Sequence, residues 1–342
     1  MQTIDILISE VGPRDGLQNI ATILPTQTKL QWIHALAAAG LREIEVGAFV
    51  HPRLLPQMAD AEDLVRQTQR IPGLDVLTLV PNRKGAERAL AAGARKISIP
   101  VSASQSHNMA NVRMTCEQSI AVVADICTLR DAAAKSGVRV SVEAGIASAF
   151  GCTREGVIAE DWVMWMAEAL ARAGADSVGL SDSVGVANPV QVRRMFKRLR
   201  TLLGDRAGGA HLHNTRGQGL ANAVAAIEAG VTTLDSSQAG LGGCPYAPGA
   251  TGNIVTEDLV YLLESMGLDT GIDLGALMHA RTVLAQALPG EALYGHVADA
   301  GVEKGFRYAN PQRPRPYAPF QGAKAPLGGS AVAQPCSVGV VV

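Results

Sequence analysis

The chain has 342 residues, of which 47% are hydrophobic, 18% charged and 4% aromatic, with a formal net charge of −1. That length can bury a large core and suits one large α/β domain or two ordinary ones. A near-neutral chain this poor in aromatics has neither the basic footprint nor the stacking platform that nucleic-acid binding needs.

The opening "MQTIDILISEVGPRDG" carries Asp5 and Glu10 and no basic-then-apolar signal pattern, and no apolar run reaches the length of a bilayer span. The expectation is a cytoplasmic protein with no membrane partner. The five cysteines, Cys116, Cys127, Cys152, Cys244 and Cys336, are odd in number and lack CxxC spacing, which supports neither a disulfide framework nor a zinc ribbon.

Along the chain one junction recurs: "LAAAGLREIEV", "LAAGARKISIP", "AAKSGVRVSVE", "ARAGADSVGL" and "IEAGVTTLD". Each is an Ala-rich helical tail, a glycine (Gly40, Gly93, Gly137, Gly174 or Gly230) and a short β-branched run, which reads as helix, stop, strand. Strands are expected near 3–10, 42–47, 74–80, 95–100, 138–143, 176–181, 208–213 and 231–235. Helices are expected near 26–39, 55–69, 83–92, 113–136, 155–173, 188–203, 217–229 and 253–266. This alternation is the pattern of a (β/α)₈ TIM barrel, with a doubly wound open sheet as the alternative. A further helix near 272–288 extends it, so 1–290 reads as one catalytic domain. The Pro- and Gly-rich stretch 291–342 reads as a tail that is either poorly ordered or packed irregularly on a neighbour.

In such a barrel the chemistry sits at the C-terminal strand ends. Polar residues fall there in number: Glu10, Arg14 and Asp15 after the first strand, Glu45 on the second, Glu143 after the fifth, Asp182 after the sixth, and His211 with His213 on the seventh. Side chains alternate along a strand, so the two histidines point the same way. Two imidazoles converging with a carboxylate suggest a divalent metal, although a hydrogen-bonded pair of core histidines would show the same spacing. Without thiolates, Mg²⁺ or Mn²⁺ is favoured, with Co²⁺ and Zn²⁺ as alternatives. The Gly-rich run "QAGLGGCPYAPGATGN" contains Cys244. A thiol on a loop over the site is placed to exchange protons when the loop closes.

"SEVGPRDGLQN", "HLHNTRGQGLAN" and "AGLGGCPYAPGATGNIVTEDLVYLL" together resemble the 3-hydroxy-3-methylglutaryl-CoA lyase family of metal-dependent barrel lyases, over residues 3 to 290. The resemblance implies Asp15, His211, His213 and Asn253 as metal ligands, Arg14 as the group that stabilises a thioester enolate, and Cys244 as catalytic acid/base. Glu45 and Asp182 match acidic residues of that site, and Glu257 matches in a supporting role. The implied reaction is cleavage of a 3-hydroxyacyl-CoA to acetyl-CoA and an oxo acid. The implied partners are an acyl-CoA thioester and, as is usual for such barrels, further copies of the chain. A Claisen-type acyltransferase and an aldolase on a CoA-free 4-hydroxy-2-oxo acid are the competing chemistries.

The chain departs from the lyase pattern in three places. Asn214 replaces the Asp of His-Asp-Thr, Glu143 to Ala147 replaces Arg-Gly-Tyr-Val-Ser, and the loop 102–115 carries His107, Asn108 and Arg113. The metal and enolate machinery is present while the walls around the acyl portion look altered. A related branched substrate, such as citramalyl-CoA or a longer 3-substituted glutaryl-CoA, is therefore as well supported as the namesake.

Overall fold

The computed structural model describes residues 3–242 and 252–315. Eight parallel strands close into a barrel in sequence order. They are β1 Leu7–Glu10, β2 Glu43–Ala48, β3 Asp75–Leu79, β4 Lys96–Ser102, β5 Ser141–Ala147, β6 Ser177–Asp182, β7 Ala207–Leu212 and β8 Thr233–Ser236. Around them lie α1 Thr26–Ala38, α2 Ala61–Thr68, α3 Arg83–Ala92, α4 Gln105–Val112, α5 Cys116–Lys135, α6 Glu160–Arg172, α7 Pro189–Leu203, α8 Gly219–Glu228 and α9 Thr256–Ser265. Two more helices, α10 Leu274–Ala287 and α11 His296–Ala300, follow the barrel. This is the (β/α)₈ architecture expected from the helix, stop, strand rhythm. Gly93 ends α3 at a φ of 97°, and the other four junction glycines occupy the same left-handed region.

Several elements are shorter than expected, β1 and α2 among them, and α11 lies in the expected tail; two differences bear on the site. The alternating Val138, Val140 and Val142 suggest a strand over 138–143, but pairing with β4 starts at Ser141 and runs on to Ala147. The late half, "AGIA", carries little β-propensity of its own and is held by its neighbours' ladders. Glu143 therefore lies in the strand's lower half, not beyond its end. The second difference is α4, which precedes the long helix. Ser104 Oγ accepts from the His107 N–H at its start, and Arg113 closes it in the left-handed region at φ 58°.

Accessibility in the barrel runs opposite to the usual pattern. On β5 the residues facing the helices, Val142, Ala144 and Ile146, are fully buried, whereas Glu143, Gly145 and Ala147 face the axis and line an internal cavity. β6 repeats this with Ser177, Gly179 and Ser181 on the cavity side. The apolar core is thus the sleeve between barrel and helices, with Ile44, Val46, Leu212 and Leu234 against Ile33, Leu36, Leu199 and Leu263. Barrels of this class usually fill their axis with bulky side chains. Here a cavity of about 1260 Å³ occupies it, reaching from the mouth, at His51 and Arg113, down past Glu143.

The chain after α10 is fastened to the barrel. Phe306 stacks on Tyr261, Tyr261 Oη donates to Glu303, and Arg313 pairs with Asp269 at 2.5 Å. Residues 316–342 lie outside the described residues.

Candidate active site

β1 ends in a tight buried turn, Gly12–Gly16, that carries Arg14 and Asp15 into the mouth. The Gly12 N–H donates to Glu10 Oε1 at 2.8 Å, and a Cβ on Gly12 would lie 2.5 Å from that oxygen. Only glycine permits so close an approach. The Arg14 guanidinium then forks, Nε to Glu45 Oε2 at 2.5 Å and Nη1 to Asp15 Oδ1 at 2.6 Å. Burial alone would weaken this cation, but Glu45 and Asp15 hold its proton more firmly than usual.

Asp15 is held from several sides. Its Oδ1 also accepts from Gln18, and its Oδ2 accepts from Asn253 Nδ2 at 2.6 Å. Burial pushes its carboxyl up, yet Arg14, the two histidines and the Asn253 amide outweigh that and keep it well below the ordinary carboxylate range. It is an anion under all ordinary conditions.

His211 is the next-to-last residue of β7 and His213 follows the strand, both lining the cavity with their Nε2 atoms 3.1 Å apart. Asp15, His211 and His213 each offer one ligand atom, all within 4.8 Å of one another. Burial, followed by the neighbouring His211, pushes His213 down to about 3, so its ring is neutral with a free lone pair. Asn253 is brought alongside by an antiparallel bridge to His213. Among the described residues, no hydrogen-bond donor reaches its buried Oδ1. Leaving such an oxygen unpaired costs about 1–3 kcal/mol, a penalty that a bound cation would remove. Two imidazoles, a carboxylate and an amide oxygen fit a divalent metal, and the orphaned oxygen is the observation that favours one.

Asp235, on β8, carries no motif that marks it in the sequence, yet alternation along the strand turns it into the cavity. Its Oδ2 lies 2.9 Å from His211 Nδ1, which fixes the tautomer and leaves Nε2 to face the cluster. Asp235→Asn is expected to weaken Mn²⁺ binding about 10- to 100-fold, as loss of such outer partners does. Calorimetric titration with the metal measures this, and unchanged affinity would remove Asp235 from the site.

The remaining sequence candidates take distinct places. Glu45 anchors Arg14 and accepts from Ser98 Oγ at 3.2 Å. Both oxygens of Asp182 are occupied by the N–H groups of Val186 and Ala187, each at 3.0 Å, while its carbonyl receives the His213 N–H. It shapes the loop behind the histidines. Glu257, fully buried, accepts from the Ala239 N–H and pairs with Arg281, bracing the loop after β8. Glu143 is joined to Lys96 at 2.7 Å within the barrel, and burial pushes it up to about 7. Cys244 lies outside the described residues.

Two of the departures from the lyase pattern prove to be framework. Asn214 Oδ1 accepts from the Gly219 N–H at the head of α8, and Asn108 fastens α4 to the Met114 and Thr115 carbonyls. Asp and Asn serve about equally at a helix start. Asn214→Asp is therefore expected to change turnover less than about twofold and the melting temperature hardly at all. A steady-state assay with a melting curve checks both.

A (β/α)₈ barrel whose mouth joins an arginine–carboxylate fork to a two-histidine, carboxylate and amide set defines a metal-dependent barrel enzyme. The chain belongs to the HMGL-like family, whose model matches residues 5–284. It is similar to the mitochondrial hydroxymethylglutaryl-CoA lyase of Mus musculus, at 40% identity over 283 residues, 83% of this chain and 86% of that one. Hydroxymethylglutaryl-CoA lyase YngG of Bacillus subtilis (strain 168) is 38% identical over 275 residues, 80% of this chain and 90% of its own. Among solved structures, an HMG-CoA lyase from Acinetobacter baumannii in complex with coenzyme A and 3-methylmalate superposes with a TM-score of 0.81. That pair shares 38% identity and covers 90% of this chain and 99% of the other.

Proposed function

We propose that this protein is a divalent-metal-dependent lyase that cleaves a branched 3-hydroxyacyl-CoA, 3-hydroxy-3-methylglutaryl-CoA or a close relative, to acetyl-CoA and an oxo acid. The observation that carries the reading is the convergence of Arg14, Asp15, His211 and His213 in one cavity, with the Asn253 side chain bonded to Asp15 beside them. Asp15, His211, His213 and Asn253 would hold Mg²⁺ or Mn²⁺. Once bound, such an ion lowers the pKa of a coordinated hydroxyl and fixes its orientation.

The chain's own residues supply the rest. As the hydroxyl proton passes to the Cys244 thiolate, the O–H electron pair forms the new carbonyl, and the C2–C3 pair moves into the thioester as an enolate. Arg14, held by Glu45, provides positive charge where the enolate oxygen develops. Cys244 returns a proton to the enolate carbon. A thiol's ordinary pKa of about 8.5 suits that exchange. Lys84, Arg113 and Arg154 line the mouth and supply cations for the phosphates of the CoA arm.

The test is to incubate 3-hydroxyacyl-CoA thioesters with the protein, with Mn²⁺ or with chelator, and to follow acetyl-CoA release. Metal-dependent release is expected. No release from any thioester, together with cleavage of a 4-hydroxy-2-oxo acid, would overturn the reading in favour of an aldolase. Cys244→Ser is expected to lower kcat by at least about 10²-fold, the usual reach of a proton-transfer group, with Mn²⁺ affinity unchanged. Loss of metal binding instead would contradict this division of roles.

A further inference from the structure

The cavity does not end at the two histidines. Next to His211 its wall is built of small side chains: Ser181, which pairs with His211 across β6 and β7, then Gly145 on β5 and Ser98 on β4. Leu77 and Leu79 face them from β3.

The fold accounts for one glycine of this wall and not for the other. A Cβ on Gly179 would lie 2.7 Å from the Gly209 carbonyl oxygen, so the packing of β6 on β7 requires glycine there. A Cβ on Gly145 would meet nothing closer than Ser181 Oγ at 3.9 Å, and Gly145 does not occupy the left-handed region. Backbone and packing would both accept a larger residue. The open volume beside His211 therefore follows from side-chain choice at Gly145, Ser98 and Ser181, and not from chain geometry.

The floor of this recess restricts what can enter. Lys96 Nζ lies 2.5 Å from Glu43 and 2.7 Å from Glu143, so one cation is shared by two carboxylates. With Asp235 also facing the axis, the described charges around the recess are three carboxylates and one shared cation, while Arg200, deeper in the lining, is turned to the Gly230 carbonyl, so an acid group would meet net negative charge. The phosphates of a CoA arm are drawn the other way, to the cations at the mouth.

We propose that the recess bounded by Ser98, Gly145 and Ser181 is a specificity pocket for an uncharged substituent, larger than methyl, on the tertiary carbon of the substrate. The inference rests on the reading of this mouth as the place where a 3-hydroxyacyl-CoA is cleaved. It narrows the substrate class to thioesters whose C3 bears a short alkyl or hydroxyalkyl branch.

Binding separates this from turnover. Thioether analogues lacking the thioester carbonyl cannot form an enolate, and a series with C3 methyl, ethyl and propyl groups can be titrated calorimetrically into the Mn²⁺-loaded protein. Each added methylene is expected to tighten binding by up to about fourfold, the factor that burial of one CH₂ supplies. Gly145→Leu fills the recess and is expected to reverse that order, weakening the propyl analogue at least about tenfold while leaving the methyl analogue within about threefold, since overpacking costs about 1–3 kcal/mol. Ser181→Leu fills the same space from the next strand, so a fold defect in one variant leaves the other to decide. Affinity that falls with branch size in the unaltered protein, an absence of binding by every analogue, or variants that weaken all three equally would overturn the proposal. Failure to cleave any of the methyl, ethyl and propyl thioesters would instead count against the lyase reading, and the binding series would still decide the pocket.

Discussion

Replacing Arg14 with Gln is expected to lower kcat by about 10²- to 10³-fold, the cost of removing one preorganised donor from a developing oxyanion. The effect belongs in kcat because the guanidinium meets a neutral thioester oxygen before cleavage and a charged one during it. An interaction that strengthens only on the way to the transition state raises kcat and leaves KM nearly unchanged. The geometry adds a second expectation. Arg14 is not a free cation but a fork set by Glu45 at 2.5 Å and Asp15 at 2.6 Å, all three buried. Arg14→Lys keeps the charge but cannot span both carboxylates, so it should recover only a small part of the lost rate. Glu45→Gln removes the anchor and should lower kcat by a smaller factor than loss of the arginine itself. Steady-state kinetics on the three variants decide the point. A Gln variant that raises KM while sparing kcat would place Arg14 on ground-state binding and remove it from the enolate.

The parts of this molecule that were legible in the sequence are those with a local cause. A helix that stops in the left-handed region needs glycine, so Gly40, Gly93, Gly137, Gly174 and Gly230 announce five of the barrel's turns. Two histidines at spacing two share a strand face, and their Nε2 atoms indeed meet at 3.1 Å. Features decided by neighbours were less visible. β5 extends through "AGIA" because β4 and β6 hold it, which moves Glu143 from the mouth into the barrel. Asn214, which the sequence offers as a change in the substrate wall, also accepts the Gly219 N–H at the head of α8, a contact that only the folded loop reveals. The hollow axis was the least legible feature, because an inward-facing Gly or Ser reads the same as an outward-facing one until registers are known. Asp235 was within reach, since the alternation that pairs the histidines also turns this residue toward them.

Glu10→Gln is expected to make the protein more stable than its parent in alkaline solution and to leave it nearly unchanged in mild acid. Glu10 closes β1 and is completely buried, and burial pushes its carboxyl up from 4.5 to about 8 despite donors from Thr256, Gln238 and Gly12. The folded state thus holds this proton more tightly than the unfolded chain. Its stabilising contribution is complete below pH 4.5, declines as pH rises, and is gone by about 8. Across that window the loss is on the order of 5 kcal/mol, at about 1.4 kcal/mol per unit. Gln reproduces the protonated form: its oxygen can accept from the Gly12 and Gln238 N–H groups, both now on Oε1, and its amide can donate to Thr256 Oγ1, now 2.6 Å from Oε2. Melting curves of parent and variant at pH 5 and pH 9 should coincide at the lower value and separate by several degrees at the higher one; curves that stay parallel would mean that Glu10 does not titrate in this range. The same carboxyl ties the turn bearing Arg14 to the loop that begins at Gln238 and leads toward Cys244. Because a charge at this dry position destabilises the fold that holds both, the variant should retain kcat to higher pH than the parent.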